Sequence, residues 1–275
     1  MSNSQKKRLL QVENLSIGFS QYFKGTQKRM IHPIADMHVN IDEGEIVAVV
    51  GASGSGKSLL AHAVLGILPG NAITSGSILY QGEELTQKRK EQLRGREISF
   101  IPQSVNYLDP LMRVGKQVQI GLDRTTAQVQ QDDLFARYDL KKSDGRLFPF
   151  ELSGGMLRRV LFATSVREGV KLVIADEPTP GIHPEALSEI LRQLKQFAKD
   201  GAGVMLITHD IMSALEIADR VAVIKDGTTV EISDVSAFEG QGDRLITDYT
   251  RRLWRALPQN DFDLEFKRKA EESCL

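Results

Sequence analysis

Apolar positions in this chain recur in two rhythms, and the switches between them outline the elements. Leu9 to Phe19 alternates enough to predict a strand, and the polar stretch Gln21 to Arg29 predicts a loop. Ile34 to Ile41 predicts a second strand, closed by a turn at Asp42-Glu43-Gly44-Glu45. Ile46 to Val50 is a continuous apolar run of strand length. Leu59 to Leu65 then reads as a helix that stops near Pro69-Gly70, and Ser77 to Tyr80 as a short strand between Gly76 and Gly82. From Thr86 to Glu168 polar and basic stretches take on helical periodicity, clearest at Ala127 to Tyr138 and Met156 to Val166. This span predicts a mostly helical insertion. Beyond it, strands Leu172 to Ala175, Val204 to Thr208 and Val221 to Ile224 alternate with helices Glu185 to Lys199 and Ile211 to Ala218. The first of those helices lines up Leu187, Ile190, Leu191, Leu194 and Phe197 on one face. After about Ser236 the chain is a polar, partly helical tail. Strands alternating with helices predict an α/β sheet with parallel crossovers.

The chemistry sits at the ends of these strands. Gly51-Ala52-Ser53-Gly54-Ser55-Gly56-Lys57-Ser58 fits the phosphate-loop pattern at every fixed position, between an apolar strand and the helix opened by Leu59. Small residues let backbone N–H groups close around an anion, and the helix N-terminus adds positive potential. Lys57 is expected to reach the β- and γ-phosphates of a nucleoside triphosphate and Ser58 to hold Mg²⁺. Leu172 to Ala175 runs straight into Asp176-Glu177. Asp176 is expected at the Mg²⁺ site, and Glu177 to orient and deprotonate an attacking water. Leu152-Ser153-Gly154-Gly155-Met156 opens a helix whose cap is Ser153 and whose glycines expose N–H groups. It reads either as a plain capped helix start or as a second anion site, and two such sites suggest two chains meeting head to tail. Thr208-His209-Asp210 puts a histidine just past a strand, where it can contact a γ-phosphate. Gln103, after Ile98-Ser99-Phe100-Ile101-Pro102, is a candidate for contact with Mg²⁺ and water.

Composition narrows the classes. With 35 basic and 36 acidic residues the formal charge is −1, so no global pull toward nucleic acid is expected. The single cysteine, Cys274, rules out an internal disulfide and any site built on several cysteines. The five histidines show no metal-ligand spacing. Met1 to Lys7 carries no signal-peptide apolar core, and no apolar run nears the ~20 residues that span a bilayer.

The order phosphate loop, Gln103, Leu152 to Met156, Leu172 to Glu177, His209 resembles the ATP-binding subunits of ABC transporters, over about Leu9 to Ile232. The resemblance implies a P-loop NTPase fold with a mixed sheet flanked by helices, an antiparallel β subdomain and an inserted helical subdomain. It implies a cassette over residues 1–235 with the insertion at about 86–168, and an extension over 236–275. It implies ATP and Mg²⁺, with Gly51, Ser53, Gly54, Ser55, Gly56, Lys57, Ser58 and Leu59 on one nucleotide and Ser153, Gly154 and Gly155 on that of a partner. Ser58, Gln103 and Asp176 are its metal residues, and Glu177, His209 and Gln103 its catalytic ones. Phe19 stands where this family stacks an aromatic on adenine, with Tyr22 or Phe23 as substitutes. Leu93 to Ile98, Gln103 through Asp109-Pro110 to Gln117, Ser153 to Arg159, and Asp248 to Pro258 look like the peptide and nickel importer group. That implies two transmembrane permease subunits, a second and different ATP-binding subunit, an extracytoplasmic binding protein, and a place on the cytoplasmic face of the membrane. The runner-up readings are an export ATPase and a soluble ABC ATPase of DNA repair or translation. Two departures stand out. Met156 replaces the usual glutamine, and His183 replaces the aspartate that in this family links the two sites of a dimer.

Overall fold

The computed structural model describes residues 7–23, 27–165, 167, 169–178 and 184–257; the side chains of 22, 23, 27, 28 and 184–186 are outside that description. Ten strands form one mixed sheet: β1 (Arg8–Phe23), β2 (Gln27–Asp42), β3 (Ile46–Gly51), β4 (Ala72–Tyr80), β5 (Glu83–Glu84), β6 (Ile98–Ile101), β7 (Leu172–Asp176), β8 (Gly203–Thr208), β9 (Arg220–Lys225) and β10 (Thr228–Asp234). Their lateral order is β5-β4-β1-β2-β10-β9-β3-β8-β7-β6. The five strands from β9 to β6 pair in parallel, and the other pairings are antiparallel except β2 with β10. The helices are α1 (Lys57–Leu65), α2 (Gln87–Leu93), α3 (Val114–Gln119), α4 (Ala127–Arg137), α5 (Gly154–Ser165), α6 (Pro184–Lys199), α7 (Ile211–Leu215) and α8 (Asp248–Arg255).

The parallel strands are apolar along their whole length because both faces are covered. In β3, Ile46, Ala48 and Val50 point into a core shared with α5 and α6. Val47 and Val49 point the other way, into a core shared with α1 and the β1–β2 ribbon. The predicted face of α6 behaves as expected: Ile190, Leu191 and Leu194 are buried, with Leu187 and Phe197 packed beside them.

Four elements depart from the sequence reading. Gln21 to Arg29 is largely strand, with Gln21 paired to Arg29 and Phe23 to Gln27. Helix α1 stops at Gly66, in the left-handed region at φ 69° with its N–H on Ala63 and His62 carbonyls, several residues before Pro69. Within the span read as helical insertion, Ile98–Ile101 is a strand that pairs with β7 in the main sheet. Finally, β10 has no counterpart in the reading. Its inward residues are Thr229 and Glu231, so its polarity is inverted.

Glu231 ties the C-terminal helix to the sheet. Burial alone would raise its carboxyl group. Ser233 Oγ donates to it at 2.6 Å, the N–H groups of Ile246 and Thr247 at 2.8 and 2.9 Å, and Thr247 Oγ1 at 2.8 Å. Together these donors hold its pKa down at about 2. Thr247 then caps α8, and Trp254 docks edge-on against Phe238, donating Nε1–H to Gly240 O. A carboxyl lowered on folding stabilises fully above its unfolded value of about 4.3 and loses that contribution as pH falls toward 2. Glu231→Gln is therefore expected to cost about 2 kcal/mol at neutral pH. Thermal unfolding from pH 7 to 3 checks this: the gap between the two proteins should narrow on acidification, and a constant gap would refute the assignment.

Candidate nucleotide site

Parallel pairing brings four turns to one edge of the sheet. Val50 is level with Thr208, and Ile207 is level with Asp176. The residues that follow β3, β8, β7 and β6 thus emerge side by side, outside the strands' carboxyl ends, where α/β sheets bind ligands. They are the phosphate loop, His209, Glu177 and Gln103.

The loop is fixed by close backbone approach. A Cβ on Gly51 would lie 2.2 Å from Ile224 O, and one on Gly56 would lie 2.9 Å from Ile34 Cγ1, with φ at 97°. Gly54, at φ 81°, faces open space. Lys57 is buried and turns back on its own loop, donating Nζ–H to Gly51 O at 2.9 Å and Ala52 O at 3.0 Å. Burial lowers its pKa against the opposing pull of Glu177 and Asp176. Ser55 Oγ is buried with no partner among the described residues, a hydroxyl free for a ligand. Ser58 Oγ donates to Asp176 Oδ1 at 3.1 Å. Burial raises the Asp176 carboxyl, the Ser58 bond lowers it, and the neighbouring Glu177 charge raises it further. A serine hydroxyl beside an acidic oxygen is a hard-donor pair of the kind that suits Mg²⁺.

Glu177 has φ 41°, the left-handed region that a residue with a Cβ rarely enters. Its N–H donates to Ile207 O at 2.8 Å, which holds the chain in that conformation. The carboxylate faces two groups from other strands. Gln103 donates Nε2–H to Oε2 at 2.8 Å, and His209 Nδ1 lies 3.3 Å from Oε1. Gln103 is thus on Glu177 rather than on the Ser58–Asp176 pair. Its carbonyl accepts from Arg158 Nη1 at 3.0 Å. Arg158, a buried residue of α5, belongs to the Ser153 to Arg159 segment that resembles the importer group, but nothing in the sequence signalled this bond to Gln103. His62 was also passed over. Its ring meets Phe100 edge-on at 6.2 Å, and Phe100 meets Tyr107 at 6.5 Å, a file running from α1 to the surface. Tyr107 and Ile120, 66% and 61% exposed, edge a groove of about 560 Å³ beside Phe100, Pro102 and Leu161.

Ser153 caps α5 by accepting from Met156 N–H at 3.3 Å. Ser153, Gly154 and Gly155 are exposed, and a Cβ on either glycine would meet nothing within 4 Å. No hydrogen bond among the described residues joins them to Gly51–Ser58. Phe19 is half-buried and packs on the core beside α1. The side chains of Tyr22 and Phe23, and all of His183, lie outside the described residues.

Comparison with known proteins agrees with this geometry. Residues 34–180 match the family described as ABC transporter. The oligopeptide transport ATP-binding protein OppD of Bacillus subtilis is 34% identical over 83% of this chain, which spans 66% of that protein. OppD of Lactococcus lactis subsp. cremoris is 32% identical over 92% of the chain, which spans 77% of it. The peptidoglycan transport ATP-binding protein YejF of Agrobacterium fabrum is 33% identical, and the chain spans 49% of its length. A dimeric ATP-binding cassette in a post-hydrolysis state with ADP and Pi superposes with a TM-score of 0.70 at 23% identity, over 82% of this chain and 99% of that one.

The contact between Gly51 and Ile224 yields a direct check. Gly51→Ala should push the loop from its seat and weaken nucleotide binding by about tenfold or more. Titration with a fluorescent ATP analogue reads this, and unchanged affinity would show that the loop geometry is not what binds.

Proposed function

Given that the chain belongs to the ABC transporter family, we propose that it is the ATP-hydrolysing subunit of an importer that energises peptide uptake through partner membrane subunits. The observation that carries the proposal is the convergence of Lys57, Ser58, Asp176, Glu177, His209 and Gln103 on one sheet edge. The oligopeptide and peptide names of the relatives favour peptide over nickel or another metal chelate. They also favour import over the export reading.

In this reading the triphosphate enters the loop and draws Lys57 Nζ from the Gly51 and Ala52 carbonyls onto its terminal phosphates. Phe19 supports the adenine. Ser58, Asp176 and Gln103 would hold Mg²⁺, which neutralises phosphate charge when bound. Glu177 takes the proton from a water as its oxygen attacks the γ-phosphorus and the bond to the β,γ-bridging oxygen breaks. His209 contacts the γ-phosphate, and Gln103 positions the water. For Gln103 and His209 to do so, they must leave the Glu177 carboxylate. The exposed Ser153-Gly154-Gly155 segment serves the nucleotide of a second ATP-binding subunit, in a heterodimer if His183 makes the two sites unequal. The dimeric cassette among the structural neighbours is consistent with such pairing.

Among the described residues no helix is long and apolar enough to cross a membrane. Membrane work then falls to two permease subunits, supplied by an extracytoplasmic binding protein, with this chain peripheral on the cytoplasmic face. The groove at Phe100, Tyr107 and Ile120 is where a cytoplasmic helix of a permease would sit, and the His62–Phe100–Tyr107 file would connect it to α1. In this reading residues 1–235 are the cassette and 236–275 its C-terminal extension.

Glu177→Gln should abolish steady-state ATP hydrolysis, a loss of at least about 10³-fold, while ATP affinity stays within about twofold. Near-normal turnover would remove Glu177 from the mechanism. Affinity purification from the native membrane tests the assignment itself. Recovery of two permeases and a second ATPase is expected, whereas recovery of soluble partners alone would overturn the transport reading.

A further inference from the structure

A second polar cavity lies away from the nucleotide site, between α3, α4 and the short turn Lys142–Arg146, with a volume of about 530 Å³. Four cations line it, Arg113, Lys116, Lys142 and Arg146, against one carboxylate, Asp132. That carboxylate is engaged, at 2.8 Å from Lys142 Nζ. The other three cations have no acidic partner among the described residues. Lys116 Nζ donates to a neutral acceptor, Gln119 Oε1, at 3.1 Å, and the Arg113 guanidinium lies over the Phe148 ring at 5.6 Å. Arg146 has no side-chain hydrogen bond or ion pair among the described residues.

The floor of the cavity is more informative than its rim. Gln131 is only 4% exposed. Its Oε1 accepts from Gln119 Nε2 at 2.8 Å, which fixes the amide orientation. Its Nε2 donates to no protein acceptor among the described residues. Gln131 lines the cavity, so an acceptor oxygen there would give this amide the partner that the protein does not. Gly115 and Gly145 let α3 and the turn pack closely beside this amide. A Cβ on Gly115 would lie 2.8 Å from Gly145 O, and one on Gly145 would lie 2.7 Å from Gln131 Nε2. A recess with cationic walls and an amide donor that has no protein acceptor at its base has the complementarity of a multiply charged oxyanion.

We propose that this cavity binds a phosphate-bearing ligand through Gln131 Nε2, Arg113, Lys116 and Arg146, separately from the ATP site. The site stands on geometry alone and holds whether or not the importer assignment does. The phosphate could belong to a free small molecule or to a lipid headgroup.

The test uses the full chain carrying Lys57→Ala, so that the phosphate loop does not compete. Inorganic pyrophosphate is titrated by calorimetry, and binding to phosphatidylglycerol vesicles is compared with binding to phosphatidylcholine vesicles by flotation. Three further variants are made in that background: Arg146→Ala, Gln131→Leu, and Gly145→Ala, which places a methyl group against Gln131 Nε2. Saturable pyrophosphate binding that falls at least about tenfold in all three supports a free phosphate ligand. Binding to phosphatidylglycerol vesicles alone, lost in the same variants, supports a headgroup. Arg146→Ala changes only an exposed side chain, so its loss of binding cannot be ascribed to misfolding. No binding of either probe, or binding indifferent to these variants, overturns the proposal.

Discussion

In-register parallel pairing of β3, β8, β7 and β6 is the constraint on which the chemistry depends. Each of these strands ends within a residue or so of its neighbours, so the turns that follow them compete for the same small volume. His209 lies between the phosphate loop and Glu177 because β8 lies between β3 and β7. A slip of two residues in one pairing would move a reacting group by about 7 Å, well beyond hydrogen-bond reach. The dense apolar packing on both faces of these strands is therefore part of the active-site architecture. At the opposite edge, Arg220 reinforces it by pairing with Glu45 at 2.6 and 3.0 Å and donating to Asn40 O.

The parts of the site that could be read from sequence are those encoded locally. Gly51 to Ser58 declares itself because loop, lysine and helix start are contiguous, and Asp176-Glu177 because it ends an apolar run. The bonds that connect these pieces were not legible. Gln103 and Glu177 are 74 residues apart, and Arg158 reaches Gln103 across 55. No periodicity encodes such a meeting, since the sheet order alone creates it.

The fold shows the same division. Strands with two apolar faces were readable, but β10 was not, because it buries Thr229 and Glu231. Both polar residues are satisfied: Thr229 Oγ1 accepts from His38 N–H and donates to His38 O, and Glu231 gathers four donors. A buried polar face inverts the signal on which strand reading relies. The hairpin arm at Gln21 to Arg29 was missed for the opposite reason, since its described flanking residues are exposed and need no alternation. At α1, the left-handed Gly66 ended the helix before the more conspicuous proline.

The resting arrangement of the nucleotide site bears on its thermodynamics. Lys57 already caps two carbonyls of its own loop, and both oxygens of Glu177 already face polar partners. On the proposed reading, an incoming triphosphate must draw Lys57 away from these carbonyls. Binding then exchanges these internal contacts for contacts to the anion, which also meets the backbone N–H groups of the loop. On the same reading, Glu177 is free to act as a base only when Gln103 and His209 turn to the phosphate, so the fold couples that role to occupancy of the loop.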